Sequence, residues 1–177
     1  MNISPRPKLF IVAGALATLS SFAVYGAVQQ TFRNSANDPQ VQLSEDGARA
    51  LSLGKDPLLG ATETVDIVRS LAPFIVIYTK EGVPVRGTGV TNGTLAQIPV
   101  GIFSNPGDEQ RFAWQPKPSL RFASILTRYR DPMGVEGFVL AARSLRESEA
   151  RTFHIGRLLI CGWIATLLVV AALSFFL

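Results

Sequence analysis

Cysteine and histidine occur once each in the 177 residues, as Cys161 and His154. A single thiol excludes an intrachain disulfide and leaves the redox compartment open. With no Cys/His cluster spaced for zinc, the sequence gives no support for a metal site. Nucleophilic catalysis has one candidate base, His154, set just before an apolar run, and there is no nucleophile-elbow sequence or glycine-rich phosphate loop. The close carboxylate pairs, Asp108-Glu109 and Glu147/Glu149, lie in a Pro/Gly loop and at helix positions that point apart, which suits neither for general acid/base work. No catalytic residue and no cofactor is therefore assigned, and the chain reads as a non-enzyme. Charge is scarce too, at 17 %. It forms no Lys/Arg run with interleaved aromatics, so the pI of about 9.6 does not point to nucleic acid.

What is abundant is apolar: 47 % of the residues, with a mean hydropathy of +0.27. The excess sits at the two ends. Residues 9–28 and 158–177 contain no Asp, Glu, Lys or Arg, and as helices each would cross about 30 Å, the hydrocarbon thickness of a bilayer. The sequence thus divides into a cytoplasmic start (1–8), a first membrane helix (9–28), a domain (29–157) and a second membrane helix (158–177). That domain holds 15 of the 17 basic and all 13 acidic residues, a net charge of +2, which suits a water-soluble fold.

Arg6 and Lys8 precede the first span, which by the positive-inside tendency keeps the N-terminus cytoplasmic and sends the domain out. Arg143, Arg146, Arg151 and Arg157 before the second span pull the other way. The first helix usually dominates, so the expectation is a two-pass membrane protein with an extracytoplasmic domain. The first span is longer than a signal-peptide core and reads as an uncleaved signal anchor. Cys161 reads as a small apolar helix residue, with a lipidated or intermolecular thiol as the alternative. Trp163 is expected at the membrane interface.

In the domain, Val41, Leu43, Ala48, Leu51 and Leu53 suggest a short amphipathic helix beginning near Ser44 and ended by Gly54 and Pro57. A second helix is expected over 62–71, with Val65, Val68 and Leu71 on one face, until Pro73 stops it. The run FIVIYT, the turn Lys80-Glu81-Gly82 and then 83–90 read as a hairpin with a buried first strand. A loop able to hold one helical turn follows, then strands over 111–115, 120–129 and 136–142, with Asp131-Pro132-Met133-Gly134 as the last turn. Ser144 and Glu147 form a capping-box pattern. No proline occurs beyond it, so 144–177 should be one helix coupling the domain rigidly to the second span. The fold class is α+β, a five-stranded antiparallel sheet with helices on one face between two membrane helices.

The succession SLAPFIVIYTKEGVPV, IPVGIF and SLRFASILTRYRDPMGVEGFVLAARSLRESEAR resembles the PAS-like, single-Cache extracytoplasmic domains of bacterial membrane sensors, notably sensor histidine kinases, here without an output module after Leu177. The resemblance covers residues 40–177. It implies a helix before a central five-stranded sheet, whose last strand runs into a membrane helix. It also implies a small anion between the sheet and its covering loops, for which Arg86, Arg111 and Arg121 are the candidate ligands.

Phe74, Tyr78, Phe112, Trp114 and Phe122 read as core. His154 reads as an interfacial helix residue, with pH sensing or cofactor ligation as alternatives. Asn92-Gly93-Thr94 matches a glycosylation acceptor. Gly162, Ala165 and Thr166 share a face on which another membrane helix could approach closely. Two functions fit. One is an accessory subunit bracing a larger membrane complex, respiratory, photosynthetic or transport, with lipid and other integral membrane subunits as partners. The other is a sensory module that binds a small ligand and signals through a separate membrane partner.

Overall fold

A computed structural model describes residues 5–35, 38–59, 63–104 and 107–176. The chain runs α1 (Pro5–Ser35), α2 (Asp38–Ser52), β1 (Val65–Asp66), β2 (Phe74–Thr79), β3 (Pro84–Gly87), β4 (Gly89–Thr91), β5 (Thr94–Leu95), a 3₁₀ turn (Val100–Phe103), β6 (Glu109–Lys117), β7 (Leu120–Arg130), β8 (Glu136–Ser144) and α3 (Arg146–Phe176). The fold is α+β in two compact units, Met1–Asn34 with Ser148–Leu177, and Ser35–Glu147.

In the second unit a five-stranded antiparallel sheet has the order β3-β2-β8-β7-β6. Side chains alternate across a strand, so β2 sends Phe74, Val76 and Tyr78 to one face and Ile75 and Ile77 to the other. All five are buried, which is why FIVIYT lacks the polar alternation of a half-exposed strand. The Phe74 face gathers Phe122, Leu126, Phe138, Leu140 and Trp114 under Ile67, Ala96, Ile98 and Phe103. Phe122 stacks edge-on against Phe74 at 5.5 Å and lies 5.2 Å from Trp114. Tyr78 donates its hydroxyl to the Ala96 carbonyl, and burial raises its pKa above the usual phenol value. The opposite face receives α2. Ala48 packs with Ile75 and Val139, flanked by Leu43, Leu51, Leu58 and Tyr129. Gly47 is required there, because a Cβ would lie 2.7 Å from Ile75 Cδ1. Both sheet edges carry a proline, Pro84 on β3 and Pro116 on β6 where the register shifts, which blunts edge-to-edge pairing.

Several expectations need correction. The amphipathic helix begins at Asp38 rather than Ser44, and Ser44 is fully buried in mid-helix. Its hydroxyl shares a 2.7 Å hydrogen bond with Thr127 and contacts the Val139 carbonyl. Over 62–71 no helix forms among the described residues; Thr62 lies outside them. Val65 and Asp66 instead pair in parallel with Gly89 and Val90. Asp66 Oδ1 accepts the Val68 amide, a local turn that competes with the helix, and Ile67 enters the core. The expected strand 83–90 breaks at Thr88, and its second part, β4, joins a separate three-stranded sheet of order β1-β4-β5. Consequently one sheet face is covered by a helix and the other by this small sheet and the 3₁₀ turn. The exit helix starts at Arg146, where the backbone amide donates to Ser144 Oγ at 3.4 Å. It runs 31 residues, about 46 Å.

In the first unit, α1 and α3 contain spans long and apolar enough to cross a bilayer, Phe10–Thr31 and Arg146–Leu173. This is compatible with a two-pass membrane protein. The two helices are antiparallel. A Cβ on Gly14 would lie 3.7 Å from Leu167, Trp163 Nε1 donates to Thr18 Oγ1 at 3.0 Å, and a Cβ on Gly156 would lie 3.6 Å from Tyr25. Four residues forward on α1 match four back on α3, and the next seven match seven.

Candidate functional site

Arg86, Arg111 and Arg121 all fall on the α2 face of the sheet, since Arg86 pairs with Ile77, Arg111 pairs with Ile125 and Arg121 alternates with Ile125. They do not converge. Arg86 is on one edge strand and Arg111 on the other, four strand spacings or about 19 Å apart. Arg86 donates to Asp56 at 2.7 Å, and this guanidinium, with the Leu58 amide, holds Asp56 below its usual range. Arg111 pairs with Glu109, and the Arg121 carbonyl accepts the Leu145 amide. One small anion cannot span the three.

In each carboxylate pair one member holds an arginine: Glu109 pairs with Arg111, and Glu147 lies 3.6 Å from Arg143. His154 and Cys161 are exposed on α3. Among the described residues no group of three or more His, Cys, Asp or Glu is placed to hold a metal ion.

Gly162, Ala165 and Thr166 are exposed on α3 and lie outside the contact with α1. A Cβ on Gly162 would meet nothing within 4 Å, and the Thr166 hydroxyl donates to the Gly162 carbonyl. The small-residue face that is used is on α1, where Gly14, Ala17, Thr18 and Ser21 are half-buried. Thr18 and Ser21 return their hydroxyls to the Gly14 and Ala17 carbonyls, so no hydroxyl is left bare on that face. The string GALATLSS carried this signal in its i, i+4 spacing. Trp163, expected to mark the interface, spends its indole N–H on Thr18 inside the pair.

Two further features escaped the sequence. The first is the tip where β7 turns into β8. Asp131 Oδ1 accepts the amides of Met133 and Val135, and the Asp131 amide donates to the Val135 carbonyl. Pro132 rests by Gly54, whose φ of +70° suits glycine. This fixed turn holds Met133 at 92 % exposure, with Val135 exposed two residues on and exposed Leu53 next in the chain to Gly54. The turn itself was legible, but its neighbour Gly54 comes from the turn that follows α2. The second is a pair of buried polar atoms on the aromatic face. Ser124 Oγ, in a residue 2 % exposed, and Gln110 Oε1 on the adjacent strand have no hydrogen-bond partner among the described residues.

Comparison with protein-family models, with curated proteins and with solved structures finds no match.

Proposed function

We propose that the protein is a non-enzymatic accessory subunit that braces a larger membrane complex, respiratory, photosynthetic or transport, with its domain on the extracytoplasmic side of a bacterial inner membrane. The tip carries this reading. An exposed methionine on freely moving backbone would lose conformational entropy when covered, whereas Met133 sits on a turn already fixed by Asp131. Covering its side chain removes apolar surface worth about 1.5–3 kcal/mol from water. The partner is another integral membrane subunit reached by Leu53, Met133 and Val135. The five-stranded antiparallel sheet with a helix on one face supports a PAS-like, single-Cache assignment for the domain.

The test is affinity purification of the full chain in mild detergent with quantitative mass spectrometry. Wild type should bring down one large complex stoichiometrically, and Met133→Asp with Val135→Asp should release it while leaving the melting temperature unchanged. Equal recovery by the double variant overturns the reading. The side of the domain has a built-in reporter. Asn92 is exposed at the β4–β5 turn with φ +52°, and Asn92-Gly93-Thr94 should accept a glycan when the chain is inserted into microsomes with the domain luminal.

The unpartnered Ser124 and Gln110 atoms favour a second reading, a sensory module with a small ligand against the aromatic face, because such atoms are costly unless a bound molecule satisfies them. A melting shift with acetate or acetamide, lost in Ser124→Ala, supports that reading over the first.

A further inference from the structure

We propose that Arg157 and His154 of α3 bind the phosphate of an anionic phospholipid headgroup. The proposal rests on the two-span reading, and it follows from the register of the helix pair. Because Gly156 lies opposite Tyr25, Arg157 stands at the level of Val24, His154 at that of Ala27 and Phe153 at that of Val28. The apolar run of α1 ends at Val28, before Gln29. Arg157 is therefore four residues, about 6 Å, inside the apolar zone marked by α1.

A cation at that depth needs a counter-charge, and the helices do not supply one. α1 contains no acidic residue. On α3 the nearest carboxylate is Glu149, eight residues or about 12 Å along the axis. Arg157 has no ion pair among the described residues and is exposed. Arg151, by contrast, is level with Gln30 outside the apolar run and lies four residues from Glu147.

A guanidinium on a flexible stem reaches outward along the helix to the headgroup plane, where it can meet two phosphate oxygens at once. His154, three residues earlier, shares that flank of the helix and offers an imidazole N–H to the same phosphate. An anionic lipid fits better than a zwitterionic one, whose own ammonium already balances its phosphate. One arginine near a charged membrane surface corresponds to about a fivefold preference.

The experiment uses the full chain in mild detergent, titrated with phosphatidylglycerol or phosphatidylcholine and read by native mass spectrometry. Phosphatidylglycerol should be retained about fivefold better by wild type than by Arg157→Gln, and Arg157→Lys, which keeps the charge but loses the fork, and His154→Ala should fall between them. Equal retention by wild type and Arg157→Gln overturns the site. Displacement of lipid by millimolar inorganic phosphate assigns it to free phosphate and overturns the lipid. Flotation with vesicles after alkaline washing tests insertion separately. Failure to float overturns the two-span reading, and the site with it, whereas flotation with unchanged lipid preference overturns the site alone.

Discussion

The two faces of the five-stranded sheet are covered by different chemistry. Toward the small sheet β1-β4-β5, the covering is aromatic and aliphatic: Phe74, Phe122, Phe138, Trp114 and Phe103 interlock with Leu126 and Leu140. Toward α2, the contact is made at close range by Ser44, Gly47 and Ala48, with a hydroxyl pair between Ser44 and Thr127. Burial of apolar area is the larger source of stability, so the first face should hold the domain together. Hydroxyl pairs and glycine contacts contribute less and fix position. The helix is therefore placed more than it is anchored, a difference that substitutions can break or sharpen.

The largest effect is expected from Phe122→Ala, which opens a cavity between Phe74 and Trp114. Chemical denaturation should show a loss of about 3–5 kcal/mol, and a loss below about 1 kcal/mol would erase the contrast between the faces. Gly47→Val comes next. Its Cβ alone would lie 2.7 Å from Ile75 Cδ1 and 3.1 Å from Val139 Cγ1, and the overpacking should cost about 1–3 kcal/mol. Ser44→Ala should cost about 1 kcal/mol. A double-mutant cycle with Thr127→Val should show coupling, and strict additivity would remove the hydroxyl pair from the account. Ser124→Ala should instead raise stability by up to about 1 kcal/mol, since it removes an unpartnered hydroxyl from the aromatic face.

The smallest effect is pH-dependent. Glu136 is held below its usual 4.5 by Arg130 and then Lys80. A depressed folded pKa means that this contribution is complete above about pH 4.5 and is lost as pH falls through the lower folded value. The Glu136→Gln variant should therefore show a shallower decline in melting temperature under acid. An identical acid profile would show the pair to be idle, as exposed ion pairs often are.

What was legible in the sequence followed from local chemistry. FIVIYT announced a strand buried on both sides, Asp131-Pro132-Met133-Gly134 a turn, and the proline-free stretch after Ser144 a long helix. The segment 62–71 misled because Val65, Val68 and Leu71 repeat at a helical interval, while the conformation is decided by the Asp66 turn and by pairing with β4, whose partner residues Gly89 and Val90 lie 24 positions along the chain, beyond any local rule. The β4–β5 hairpin had a signal that went unused, an Asn-Gly pair between β-forming residues. The scatter of Arg86, Arg111 and Arg121 could not be read, because strand order is set by tertiary pairing. Nor could the unpartnered hydroxyl of Ser124, whose cross-strand neighbours Phe112 and Ala142 come from the two flanking strands.

Each compact unit contains one of the two tryptophans. Trp114 is 7 % exposed beside Phe122, and Trp163 is hydrogen-bonded to Thr18 in the helix pair. The molecule thus carries a separate intrinsic fluorophore for each unit. Trp163→Phe leaves an emission that reports the sheet alone, and Trp114→Phe leaves one that reports the helices alone. Coincident denaturation curves from the two variants would mean that the units melt as one cooperative body, and displaced curves that each keeps its own stability.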